Sequence, residues 1–130
     1  MKFFVSVFVL AVLLLVAPVA TGQILFVASL DQSQEPTPTG SGGQGTVWAV
    51  LSADLSALRY SVTYANLDST FTAGHFHVGP LGVSGPVVFP LNFAGNTATG
   101  IWSSVPDSVE RALLRGNLYV NVHSGKNPGG

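Results

Sequence analysis

The sequence of 130 residues contains no cysteine, and only 8% of its residues are charged. Without thiols the chain cannot form disulfides, thiolate zinc sites or iron–sulfur clusters, and it has no cysteine nucleophile. Its five Lys and Arg residues are too few to neutralise a track of phosphates, so the sequence predicts no nucleic-acid partner. Apolar residues, by contrast, make up 47% of the chain. High apolar content with few charges is typical of membrane proteins, so the position of the apolar residues along the chain has to be considered first.

The apolar excess is concentrated at the N-terminus. A short positive start, Met1-Lys2, precedes an apolar run over 3–16, and the small residues at 20–22 are typical of a cleavage site. The run is shorter than the roughly 20 residues that a membrane-spanning helix requires. We therefore predict a signal peptide over 1–22, with an uncleaved anchor as the alternative. The mature domain, 23–130, is expected to be secreted, to the periplasm if the source is bacterial, with no membrane contact beyond the leader.

The mature region consists of short alternating segments separated by turn residues. Residues 58–64 alternate most clearly, with an apolar face opposite a polar one. One stretch, 106–115, has helical spacing, and Gly116 follows it as a stop signal. This pattern predicts an all-β sandwich or barrel with one short helix. The predicted strands are 24–31, 46–52, 58–64, 72–78, 85–93, 97–103 and 117–123.

The three histidines are the most chemically suggestive residues. His75 and His77 are two positions apart, so in a strand both side chains leave the same face. In the last predicted strand the aliphatic residues occupy the alternate positions, which puts His123 on the face away from the core. If the fourth and seventh strands are neighbours, about 4.8 Å apart, the three imidazoles can converge. Imidazole nitrogens suit copper and zinc, so the sequence indicates a candidate site for one of these metals. Alternatively, the histidines are exposed or bind neighbouring carbonyl groups.

Other catalytic arrangements have little support in the sequence. The Gly-x-Ser-x-Gly and Ser-x-x-Lys motifs are absent, and the glycine-rich segment 40–45 lacks the Lys-Ser/Thr pair of a phosphate loop. Asp31, Asp54 and Asp68 lie in or beside predicted turns, where Asp usually caps backbone amides. Glu35 is a weaker candidate as a metal ligand or ion-pair partner, and the plainer interpretation is a solvated loop acid. We therefore expect a protein that is not an enzyme and that requires no cofactor unless the histidines bind metal.

Several segments in the same order resemble the chordin-type (CHRD) domain. They are Ala28-Ser29-Leu30, Glu35-Pro36, Leu58-Arg59-Tyr60-Ser61-Val62, Ala73-Gly74-His75-Phe76-His77-Val78-Gly79, Gly85-Pro86-Val87-Val88 and Gly116-Asn117-Leu118-Tyr119-Val120-Asn121-Val122-His123-Ser124. The resemblance covers the mature chain and implies a secreted domain with an immunoglobulin-like Greek-key β-sandwich or barrel. It also implies a molecular function that is not established for microbial members. In animal chordin, such domains belong to an extracellular antagonist of growth factors.

One departure from the family pattern concerns the C-terminus. Members usually continue after the Asn-Pro-Gly-Gly turn with a Glu-Ile-Arg-Gly strand, whereas this sequence stops at Gly130. We therefore expect the last strand to be missing and the chain to be a fragment; a gap filled by another chain is the alternative. The truncation also removes the arginine of that strand, which is a candidate ion-pair partner of Glu35.

Three functional hypotheses follow from these features. The first is a secreted, non-enzymatic binding or structural module, with an unidentified extracellular protein or surface ligand as its partner. The second is a copper- or zinc-binding domain that uses His75, His77 and His123. The third is adhesion through the faces around Trp48 and Trp102. A His-x-His pair with a distant histidine also resembles copper–zinc superoxide dismutase, but the bridging histidine, the zinc-ligand aspartates and the disulfide are absent, so dismutase activity is not expected.

Overall fold

The structure is a computed structural model that describes residues 22–37 and 39–130. Apart from Gly22, the predicted signal peptide lies outside the described residues. The predicted all-β architecture with one short helix is confirmed, and a short 3₁₀ turn, Gln32–Gln34, follows the first strand. The elements are β1 (Ile24–Asp31), β2 (Gln44–Leu51), β3 (Ala57–Ala65), β4 (Phe71–Val78), β5 (Val87–Pro90), β6 (Thr97–Ser103), α1 (Asp107–Leu114) and β7 (Leu118–Ser124).

The strands form two antiparallel sheets packed face to face. One sheet has the order β1-β2-β3-β6 and the other the order β5-β4-β7. The chain passes from one sheet to the other after β3, after β5 and after β6, so strands that are distant in sequence become neighbours. This interlocked order is the Greek-key type of sandwich that the family resemblance implies.

Most element boundaries agree with the predicted ones to within two residues, but β5 does not. The predicted strand 85–93 is reduced to Val87–Pro90. Proline has no N–H to donate to a sheet; Pro86 directly precedes the paired segment, and Pro90 is its last residue. The prediction overlooked this restriction, and β5 is accordingly the shortest strand among the described residues.

Aromatic rings join the two sheets in the core. Leu58 of β3 is completely buried, and beside it Tyr60 meets Phe76 of the opposite sheet edge to face, with ring centroids 5.6 Å apart. At the other flank, Phe89 of β5 stacks on Trp102 of β6 at 4.4 Å. Such pairs bury large apolar areas in a defined geometry. A chain without disulfides depends on this packing for its stability.

The helix lies in the connection between β6 and β7. Its buried residues, Val109, Ala112 and Leu113, form one stripe, as the spacing predicted. Acidic residues occupy its first turn and Arg111 its last, an arrangement that suits the helix dipole. Within the described part of the chain, no helix has the length and apolar character needed to cross a membrane.

One flank of the sandwich is open. Among the described residues, β1 pairs only with β2 and β7 pairs only with β4, so each presents one unpaired edge. Between these two strands lies a groove of about 270 Å³ that reaches core residues, including Leu58 and Phe76. The expectation of a missing final strand stays a prediction.

Candidate metal centre

Strands β4 and β7 are neighbours, as the three-histidine hypothesis required. In their antiparallel register Ala73 is opposite His123, His75 is opposite Asn121, and His77 is opposite Tyr119. The three histidines therefore share the outer face of the second sheet, with His123 diagonal to His75. Diagonal neighbours on a sheet are close enough for long side chains to meet.

The three imidazoles converge. One nitrogen of each ring belongs to a group whose members all lie within 4.8 Å of one another. The shortest approach, 3.1 Å, joins Nδ1 of His75 to Nε2 of His123. The ring centroids of His77 lie 5.7 Å from those of His75 and 6.1 Å from those of His123. The predicted cluster is thus present in the fold.

Irregular pairing of β4 accompanies the cluster. The register with β5 shifts between Phe76 and His77, and the register with β7 shifts between Phe71 and Ala73, next to the position opposite His123. An extra residue in one strand bends it locally and redirects side chains. Two of the three histidines therefore lie beside a local irregularity of the sheet.

The histidines are covered although they leave the sheet on its outer face. His77 is 7% exposed and His123 is 9% exposed, while His75 is partly buried. The alternative that they are simply exposed is therefore wrong for His77 and His123. The turn after β7 contributes to the cover, since the carbonyl oxygen of Pro128 contacts the ring of His123.

Backbone carbonyl groups fix the orientation of two of the rings. Nδ1 of His77 donates to the carbonyl oxygen of Gly85 at 2.9 Å, and Nδ1 of His123 donates to that of Pro128 at 3.0 Å. Because a carbonyl oxygen only accepts, the proton of each neutral ring is on Nδ1 and the lone pair is on Nε2. Carbonyl groups hold metal-ligating histidines in this way in many metal sites.

The two Nε2 atoms have different surroundings. Nε2 of His123 accepts a hydrogen bond from Nδ1 of His75. Nε2 of His77 is buried and has no hydrogen-bond partner in the structure. An unpartnered buried acceptor is uncommon, because its desolvation is not compensated.

The electrostatic surroundings keep at least two of the rings neutral. Burial lowers the pKa of His75, and the neighbouring His123 and His77 lower it further. Burial also lowers the pKa of His123, partly opposed by the hydrogen bond to Pro128. Neutral imidazole is the form that binds metal, so these shifts favour ligation at neutral pH.

The structure does not bring Glu35 into the histidine cluster. Among the described residues, the group of mutually close ligand atoms contains only the three histidines. Glu35 is partly buried; burial raises the pKa of its carboxyl group, and its Coulombic interaction with His77 lowers that pKa in part. It can therefore influence the site through its charge. Asp31 and Asp54 accept hydrogen bonds from nearby backbone amides, as expected for turn residues.

Sequence reasoning missed the groups that surround the cluster. The alternation placed Tyr119 on the same face as His123, but nothing indicated that its ring stacks on His77. The contacts of the carbonyl groups of Gly85 and Pro128 could not be predicted, because every residue has a backbone carbonyl group. Of the two tryptophans, Trp102 belongs to the core, whereas Trp48 is 43% exposed on the outer face of the first sheet.

Comparison with known proteins gives the family. The model of the CHRD domain matches residues 26–130, which is nearly all of the described chain. The chain belongs to the CHRD family. CHRD domains occur in extracellular proteins, and the domain is of the extracellular binding or structural type. Neither a search of curated proteins nor a search of solved structures gave a match.

Proposed function

We propose that this CHRD domain is a secreted, non-enzymatic binding module that holds one copper or zinc ion through His75, His77 and His123. The observation that carries the proposal is the buried Nε2 of His77, which has no hydrogen-bond partner, on a residue that contributes one ring nitrogen to a three-histidine group whose members all lie within 4.8 Å of one another. A metal ion would satisfy this atom. The carbonyl groups that hold His77 and His123 already direct their Nε2 lone pairs away from the backbone.

The distances require only a small adjustment. Zinc–imidazole bonds of about 2.0–2.1 Å place tetrahedral ligand nitrogens about 3.4 Å apart. The pair formed by His75 and His123 is already at 3.1 Å, and no separation within the group exceeds 4.8 Å. His75 would bind through Nδ1, which requires its proton to move to Nε2.

The donor set favours copper over zinc in affinity. Three neutral imidazoles suit both ions, and for a given site the affinity of divalent copper exceeds that of zinc. Three protein ligands leave a further coordination position open, which a water molecule or a group from an extracellular partner would take. We propose that the domain holds the ion and does not catalyse a reaction with it, because the sequence lacks the catalytic motifs considered above.

Secretion is supported by the leader pattern over 1–22 and by the occurrence of CHRD domains in extracellular proteins. The low content of Lys and Arg supports a partner other than a nucleic acid. The exposed Trp48 and its cross-strand neighbour Val27, which is 74% exposed, favour a second candidate function, in which the module binds an extracellular protein or surface ligand without metal.

Metal analysis separates the two candidates. The full protein, purified from the secreted fraction without a histidine tag, is titrated with zinc and with divalent copper by calorimetry. We expect one equivalent of either ion to bind, and binding to be lost in His77→Ala. Glu35→Gln serves as the control and is expected to keep the stoichiometry. Affinity no tighter than millimolar, or equal affinity in His77→Ala, would exclude the metal site and leave the metal-free module.

A further inference from the structure

Tyr119 is in direct contact with His77. The two residues are opposite each other in the register of β4 and β7, and their rings stack with centroids 5.1 Å apart and planes 16° apart. The hydroxyl oxygen of Tyr119 accepts a hydrogen bond of 2.9 Å from the backbone N–H of Gly85. Gly85 is also the residue whose carbonyl oxygen accepts from Nδ1 of His77. The three residues thus form a closed triangle.

The position of Gly85 is restricted by the adjacent strand. A Cβ atom at this residue would lie 1.7 Å from the carbonyl oxygen of Val78 and 2.6 Å from its carbonyl carbon, both backbone atoms of β4. Only glycine allows the loop before β5 to approach β4 so closely. The carbonyl group of Gly85 can therefore reach the ring of His77, and its exact direction depends on what holds the backbone N–H.

We propose, on the basis of the metal-binding function above, that Tyr119 is a positioning residue of the three-histidine centre. Its hydroxyl group holds Gly85, the carbonyl of Gly85 holds the Nδ1 proton of His77, and Nε2 of His77 is thereby directed at the metal. The hydroxyl oxygen of Tyr119 is engaged by Gly85 and is not a ligand. The stacked ring limits rotation of the imidazole, which is the second contribution of the same side chain.

The variant Tyr119→Phe tests the hydroxyl group separately from the ring. It keeps the stacked ring and removes the acceptor for Gly85. Loss of a group that orients a metal ligand typically weakens metal binding by about 10- to 100-fold. We therefore expect zinc affinity, measured by calorimetry on the full protein, to fall about tenfold in Tyr119→Phe and further in Tyr119→Ala, which also loses the ring.

Tyr64→Phe is the matched control. Tyr64 likewise stacks on an aromatic ring, that of Phe71 at 5.4 Å, and its hydroxyl group donates to the carbonyl oxygen of Gly95. The substitution removes a tyrosine hydroxyl hydrogen bond, of 3.3 Å, away from the histidines. We expect zinc affinity to be unchanged in Tyr64→Phe. An equal loss in both variants would indicate general loosening of the fold and would overturn the positioning role.

A measurement without metal separates this inference from the proposed function. Nitrogen-15 NMR of His77 is expected to show the Nδ1–H tautomer in the metal-free protein and a larger Nε2–H fraction in Tyr119→Phe. Absence of zinc binding in the unmodified protein overturns the metal-binding function, and the tautomer result then still decides the role of Tyr119. An unchanged tautomer together with unchanged zinc affinity overturns the positioning role.

Should Tyr119→Phe fail to fold, the unmodified protein supplies the test. Zinc binding to His77 is expected to slow hydrogen exchange of the Gly85 amide, because the triangle becomes more rigid. Exchange at Gly85 that is unaffected by saturating zinc would count against the proposal.

Discussion

Individual leucines contribute very unequally to the stability of the sandwich. Leu58 is completely buried between the sheets, whereas Leu81, in the loop before β5, is 89% exposed. Removing buried methyl groups loses their transfer free energy and leaves a cavity. We expect Leu58→Ala to lower the free energy of unfolding by about 3 kcal/mol in urea denaturation. Leu81→Ala, the control, is expected to change it by less than about 0.5 kcal/mol, and comparable losses in the two variants would contradict the described core.

We expect acid to release the metal, because a protonated histidine ring has no lone pair with which to bind it. The pKa values of His75 and His123 in the folded protein lie below the ordinary value of 6.5, mainly because of burial. Both rings are then neutral at pH 7, and affinity is lost as pH falls through their lowered pKa values. Calorimetric titrations with zinc should give constant affinity at pH values above these lowered pKa values and, below them, about a tenfold loss per pH unit for each proton taken up.

Protonation of the nearby carboxyl group has to be distinguished from that of the rings. The pKa of Glu35 is raised by burial from its ordinary value of 4.5, so its charge is also lost on acidification. The same titrations on Glu35→Gln should retain the loss of affinity at low pH. Affinity that is not lost at any acidic pH at which the unmodified protein stays folded would mean that the imidazoles are not the ligands.

The face on which a side chain lies could be predicted from the sequence, but its contacts could not. Alternation correctly placed His75, His77 and His123 on one face, since side chains of a strand alternate with period two. The coverage of His77 and His123 depends on Gly85 and Pro128, which act through backbone atoms. Backbone carbonyl groups occur at every residue, so their use leaves no trace in the sequence.

The turn that follows β7 is held by the loop between β3 and β4. Nζ of Lys126 lies 3.0 Å from a carboxylate oxygen of Asp68, and the N–H of Lys126 donates to the hydroxyl oxygen of Ser69. The N–H of Gly125 donates to the carbonyl oxygen of Thr70. This turn contains Pro128, whose carbonyl oxygen accepts a hydrogen bond from His123. Disorder of the turn would therefore affect the candidate metal centre.

Weakening this connection should mobilise the turn selectively. The hydrogen bond and charge of Lys126 lower the pKa of Asp68 below its ordinary value of 3.8. The stabilisation is therefore present above pH 3.8 and is lost as pH falls through the lower folded pKa. Asp68→Asn is expected to speed hydrogen exchange of the Gly125 and Lys126 amides at neutral pH and to remove this acid sensitivity.

Asp107→Asn, at the first turn of α1, is the control for the turn. It should leave the exchange of these two amides unchanged. If Asp68→Asn had no effect on them either, the ion pair would not hold the turn in solution.

Strand and helix positions were largely predictable because periodicity and turn residues are local properties of the chain. Thr97–Ser103 was predicted to the residue, and α1 to within one residue at each end. The strand Val87–Pro90 was predicted too long, because its apolar composition was weighed above the missing N–H groups of its prolines. Local pattern identifies an element more reliably than it identifies the element's ends.

For the molecule as a whole, a bound ion would supply the cross-link that a chain without cysteine lacks. The three histidines join β4 to β7, and a ligand that binds only the folded state stabilises it by mass action. At zinc concentrations 100 times the dissociation constant, the free energy of unfolding should rise by about 2.7 kcal/mol, measured by urea denaturation. His77→Ala should show no rise, and a zinc effect that persists in this variant would place the stabilising ion elsewhere.

Export of the molecule can be tested by identifying the N-terminal residue of the secreted protein. If the leader is removed after Gly22, the mature protein begins at Gln23, and intact mass and N-terminal peptide analysis of the secreted protein should show this terminus. A secreted protein that retains Met1, or one that stays with the membrane fraction, would favour the uncleaved anchor. Cytosolic protein of full length would contradict secretion itself.

The sandwich class of the whole molecule could be predicted from the sequence, but the order of its strands could not. Alternation indicates that β3 buries one face, and nothing local indicates that its neighbour is β6, which follows after two intervening strands. The sequence did not predict that β4 and β7 are neighbours. The three-histidine hypothesis only required that they be. Strand pairing depends on contacts between distant residues, and one sequence does not reveal them.

The groove beside β1 makes the two flanks of the sandwich unequal. On the closed side, Phe89 and Trp102 stack across the sheets, while on the groove side β1 has hydrogen bonds to β2 alone and exposes most of its length. Heat or tension applied to the N-terminus is therefore expected to detach β1 before the strands that are buried between the sheets.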